Sequence, residues 1–286
     1  MISDIPPSHY EYQIPDQDRS GVENYLRFLL YNDHFAFVLF GSKAIAMTAY
    51  NEREDSSTII FCPFDPYDRD SYNYEYFYKY KDLFCSDNVF IKIDNNYGKY
   101  HRIICVNSKK FLEVVDEYKD RFSKVLGPHF SGEKLLNQIK NSNEDIMDIL
   151  GHSDELFGIL LGFGQKNSYA HVQRCIKENN FSECSKPPLK LRYHCPFGKD
   201  PYERWSFYPI EEKETFWPWS YTQENPMDLI KNIEFCGSDE DETKEIAIRF
   251  DKVRKIIATY YKDKDLINAT LKQIHKEKPI VISIIG

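Results

Sequence analysis

Apolar residues recur at helical spacing from residue 21, where Val22, Tyr25, Leu26, Leu29 and Leu30 share one face. The run that follows, His34–Phe40 (HFAFVLF), is apolar almost without interruption. With Gly41-Ser42 after it and IAMTAY beyond, the pattern predicts strand, tight turn, strand: a hairpin over residues 35–50. A polar loop, a third short strand at Thr58–Phe61 and a helix over residues 71–84 come next. Val89–Asp94 and Tyr100–Val106 flank Asn95-Asn96-Tyr97-Gly98, a clear hairpin signal. Phe111, Leu112, Val115, Tyr118, Phe122 and Val125 then mark an amphipathic helix with Ser108 as its expected N-cap.

From residue 131 to 178 the spacing is helical throughout. Residues 179–225 show no period and hold six prolines and every Trp of the chain. A long helix or helical pair is expected over residues 240–278, with Ile246, Phe250, Val253, Ile256 and Ile257 on its apolar face. Residues 279–286 read as a short buried strand. Hairpins next to blocks of helices predict an α+β fold, with an antiparallel sheet built from hairpins and segregated helices. Residues 1–20 read as an extended arm, and residues 21–286 as a single domain.

Composition narrows the function classes. The net charge is −8, and Lys and Arg form no cluster, so nucleic acid is not an expected partner. No apolar run approaches the ~20 residues of an integral membrane segment. No apolar leader is visible at the N-terminus, which makes the cytoplasm the default location; export after leader removal, or by a dedicated secretion system, stays open. The seven Cys form no CxxC pair, and the His and Cys match no zinc template, so neither a metal nor another cofactor is expected. Cys62 and Cys105 lie within apolar runs and are expected to be buried, while Cys184 and Cys195 are expected to be accessible.

Three places carry the remaining chemistry. Gly162 and Gly164 interrupt an apolar helical run, and Asn167 and His171 follow four residues apart on one helix face. Close packing is the expected reason for the glycines; a ligand reaching exposed backbone beside Asn167 and His171 is the functional alternative. Lys43 follows Gly41-Ser42 at a turn, where a lysine is ordinarily solvated, with anion binding as the alternative. Trp205, Trp217 and Trp219 stand among prolines and other aromatics in the irregular segment. They either pin that segment to the core or form a contact surface for a partner.

Two stretches carry a resemblance. LLYNDHFAFVLFGSKAIAM (residues 29–47) and DELFGILLGFGQKNSYAHVQR (residues 154–174) resemble paired segments in a family of uncharacterised proteins of intracellular bacteria. That family pairs an LFGxK hairpin with a GILLGFGxxN helix. This chain departs from it at Ser42 and Ala44, where the family pattern has an acidic residue and a proline. The resemblance implies a shared fold and a bacterial origin, and no chemistry. The functional expectation is a non-enzymatic binding or interaction protein, exported or not, with a protein as the partner. The alternative is a hydrolase with its site near residues 162–171.

Overall fold

The computed structural model describes residues 14–31, 33–51, 74–97, 100–170, 172 and 241–276. The expected strand at Thr58–Phe61, Cys62, His171, the irregular segment with Trp205, Trp217 and Trp219, and the C-terminal strand all lie outside these residues.

Helix α1 (Asp16–Tyr31) buries Val22, Tyr25, Leu26, Leu29 and Leu30 as their spacing predicts, but it begins at Asp16, so residues 16–20, read from the sequence as the end of an extended arm, are helical. The hairpin expected over residues 35–50 is not formed. Its first half is a short helix, α2 (Phe35–Leu39), and only the second half is a strand, β1 (Ile45–Asn51). All five residues of α2 are buried. A helix covered on every side has no polar face, so its sequence carries no 3.6-residue period to distinguish it from a buried strand. Helical residues 74–80 (α3) run into a 3₁₀ turn at Lys81–Phe84.

Strands β2 (Val89–Tyr97) and β3 (Tyr100–Asn107) form the expected hairpin. Strand β1 pairs antiparallel with the other side of β3, giving the order β1-β3-β2. Alternation along β3 divides the interior in two. Ile103 and Cys105 face a core shared with α1, α2, α10 (Asp241–Tyr261) and α11 (Leu266–His275). Ile104 and Val106 face a second core. That core is closed by α4 (Ser108–Glu117), α5 (Lys119–Leu126), α6 (Gly132–Asn141), α7 (Ile146–Ile149) and α8 (Asp154–Leu160). The fold is therefore α+β, with helices packed on both faces of a small antiparallel sheet.

Helix α4 is capped one residue earlier than expected: the Asn107 side chain, not Ser108, accepts from the Lys110 N–H at 2.9 Å. Charged groups fasten the second core to the sheet. Lys92 Nζ donates to the Ser142 and Glu144 carbonyls and pairs with Asp94 at 3.1 Å. Arg102 donates to both carboxylate oxygens of Asp145, which also caps α7 through the Met147 N–H. Lys92, Asp94 and Asp145 are buried and Arg102 is partly so, and each has the partners that burial demands.

Candidate functional site

The two segments that carry the resemblance come together in space, and each enters the contact through the same type of helix end. Helix α2 stops at Gly41, whose φ of 72° is left-handed. Gly41 N–H donates to the Val38 carbonyl and Ser42 N–H to the Phe37 carbonyl, both at 3.0 Å. This double reversal is a Schellman turn. Gly41 thus supplies the positive φ expected of it, at a helix end instead of a hairpin. Other groups satisfy the same helix end. Ser42 Oγ donates to the Phe37 carbonyl, Asn107 Nδ2 to the Val38 carbonyl and Gln273 Nε2 to the Leu39 carbonyl. A buried helix terminus needs such partners for its free carbonyls. They fix the backbone that presents Lys43.

Helix α8 ends in the same way. Gly162 has φ 85°, its N–H donates to the Ile159 carbonyl, and Phe163 N–H donates to the Gly158 carbonyl. The stem of Lys43 passes beside Gly162: a Cβ added there would lie 3.8 Å from Lys43 Cγ and 3.1 Å from Phe250 Cζ. Lys43 Nζ sits over the Phe163 ring, 5.5 Å from its centroid. Phe250, on α10, also meets Phe37 of α2 edge-on. Two turns and one helix thus enclose the side chain.

Lys43 is not the solvated turn lysine that its position suggests. It is 2% exposed. Among the described residues its ammonium has no hydrogen-bond acceptor and no carboxylate partner; its polar contact is the face of Phe163. Burial without a counter-charge pulls its pKa down from 10.5 to about 7. The amine is therefore divided between neutral and charged forms near neutral pH. That is the condition under which a lysine serves as a nucleophile, a base or a switchable donor.

The adjoining glycine segment is committed to packing. A Cβ on Gly164 would meet Ile246 Cδ1 at 2.7 Å and Glu242 Oε1 at 2.8 Å. Helical residues 165–170 (α9) begin there, and the Glu242 carboxylate accepts from the Gln165 and Lys166 N–H groups at 3.2 and 3.1 Å. A carboxylate satisfies the free donors of a helix start and complements its dipole. Asn167 is 1% exposed: its Nδ2 donates to the Phe163 carbonyl, and its Oδ1 accepts from Thr243 Oγ1 at 2.8 Å. Of the site residues expected from the sequence, Lys43 and Gly162 are brought into contact. Gly164 and Asn167 lie along the same segment, docked against α10.

Sequence reasoning passed over Phe163, Phe250 and Glu242 as site residues. Phe250 was legible as part of the apolar face of α10, but nothing local tells which turn it covers. The available signal for Lys43 was its setting, a lone cation between Phe40 and the apolar start of β1. Among the described residues, no group of three or more His, Cys, Asp or Glu could hold a metal ion. No helix among them is long and apolar enough to cross a membrane.

Comparison of the chain with known protein families, with curated proteins and with solved structures yields no match in any of the three.

Proposed function

We propose that the chain is a non-enzymatic binding protein of bacterial origin, and that it takes a small ligand with an acceptor oxygen at Lys43. One observation carries this reading: Lys43 is buried at the junction of the two turns with no acceptor among the described residues. An ammonium this deeply buried, with an aromatic face as its polar contact, destabilises the fold, and an apolar side chain of the same size would not. Residues that break the local rule in this way concentrate at functional sites. The hydrolase reading draws less support, because both ends of the Asn167 amide are engaged within the fold.

The test compares thermal unfolding of the parent and of Lys43→Met at pH 6.5, with and without propanoate. A raised midpoint in the parent alone is the expected result. An equal shift in both proteins, or none in either, would overturn the proposal.

A further inference from the structure

We infer that Lys43 is a covalent docking point for a small uncharged aldehyde, which condenses with its amine to an imine at the contact between the two turns. The inference goes beyond the binding reading above, with which it shares the site at Lys43.

The surroundings of the amine select that class. The Lys43 stem lies against Gly162, its nitrogen lies over the Phe163 ring, and Phe250 closes the same contact. None of these neighbours carries a charge. A short apolar aldehyde brings no charge into the site and gives up little hydration on entering it.

The amine is also competent. Burial pulls the Lys43 pKa down to about 7, so a substantial fraction of its side chains is neutral at pH 7. A lysine at the ordinary value of 10.5 is neutral in roughly one molecule in three thousand at that pH. Hydrogen bonding does not occupy the nitrogen: among the described residues its lone pair, when deprotonated, has no donor. A desolvated amine of this kind is the activated nucleophile of imine chemistry.

The step balances without another reagent. The nitrogen lone pair of Lys43 attacks the carbonyl carbon and a C–N bond forms. A proton moves from nitrogen to oxygen to give the carbinolamine. Loss of that oxygen as water leaves a C=N bond. Nothing is oxidised or reduced, and hydrolysis returns the free aldehyde and the amine.

Access follows from where the lysine lies. Lys43 belongs to the connection between α2 and β1, and Phe163 to the connection between α8 and α9. Reaching the amine requires the two connections to part locally, and local openings need less than global unfolding.

The experiment treats the native full-length chain at pH 7 with dilute propanal and cyanoborohydride, which reduces the imine to a stable propylamine. Mass spectrometry of the digested protein then compares early labelling rates across the lysines. Lys43 is expected to label at least tenfold faster than the mean of the exposed lysines, and urea is expected to abolish that preference. Labelling of Lys43 no faster than the exposed lysines, or only in urea, would overturn the inference. Propanoate cannot form an imine, so it separates the two proposals. A propanoate-dependent midpoint without preferential Lys43 labelling retains the binding site and rejects the imine. Preferential labelling without a propanoate effect retains the imine and rejects recognition of a carboxylate there.

Discussion

The Lys43 nitrogen lies over the ring of Phe163, 5.5 Å from its centroid, and so joins two segments far apart in the chain through a single cation–aromatic contact. Lys43 stands just past the Schellman turn of α2, Phe163 closes that of α8, and each turn depends on a left-handed glycine, Gly41 in one and Gly162 in the other. The glycines and the lysine therefore belong to one arrangement, and their substitutions have opposite expected signs.

Lys43→Met is expected to stabilise the protein. The folded-state pKa is about 7 and the ordinary value is 10.5. Below pH 7 the lysine is charged in both folded and unfolded states, so its burial penalty is fully present. Between pH 7 and 10.5 the unfolded chain binds the extra proton, and stability rises with pH. Above that window the amine is neutral in both states and the penalty is gone. The advantage of Lys43→Met should thus be largest below pH 7, at ~2–5 kcal/mol on the scale of 1.4 kcal/mol per pKa unit, and should fall across the window. Urea unfolding at a series of pH values measures it. A difference that does not change with pH would show that the ammonium is not the source.

The glycines are expected to be intolerant of a methyl group. Gly162→Ala adds a Cβ 3.1 Å from Phe250 Cζ, and Gly164→Ala adds one 2.7 Å from Ile246 Cδ1. Both positions have positive φ. Overpacking and left-handed strain act in the same direction, and each variant should lose about 1–3 kcal/mol. Gly41→Val should lose about 1–2 kcal/mol by strain at its own turn. A thermal melt in which Gly162→Ala or Gly164→Ala exceeded the parent would refute the packing account, because that gain belongs to an exposed helical glycine.

These glycines also mark how far the sequence could be read. A positive φ is a local requirement, and the glycines at 41, 162 and 164 announce it. The β2–β3 hairpin and the apolar faces of the helices are local too, and they were legible, although the cap of α4 fell on Asn107 and the helix expected through Val125 divides into α4 and α5. Helix α2 was not, since burial on all sides removes the polar positions that would set its period. The burial of Lys43 was hidden for another reason. It depends on Phe163 and Phe250 arriving from distant parts of the chain, and no pattern near residue 43 encodes their arrival.

Asp145 provides a test of the second core. Its carboxylate is 3% exposed, accepts twice from Arg102 and caps α7. Asp145→Ala leaves the Arg102 guanidinium, 19% exposed, without that carboxylate. Removing one member of a buried ion pair costs about 3–5 kcal/mol. Chemical denaturation should show a loss in that range. A change under 1 kcal/mol would mean that water reaches Arg102 and replaces the carboxylate.

Glu242 tests how the glycine segment is held against α10. Its two carboxylate oxygens accept from Gln165 and Lys166 N–H, the first donors of α9. Glu242→Ala removes both acceptors and the negative charge at that helix start, a loss of about 1–2 kcal/mol. The consequence should be local. Asn167 remains bonded to Thr243, and the packing of Phe250 on Gly162 is untouched. Amide hydrogen exchange should therefore quicken at residues 165–168, while β1 and β3 keep the protection of the parent. Uniform acceleration through the sheet would show that Glu242 supports the whole core, and no change at residues 165–168 would show that the cap is dispensable. The first pattern is expected because the ladder bonds of β3 to its two neighbours are independent of this cap.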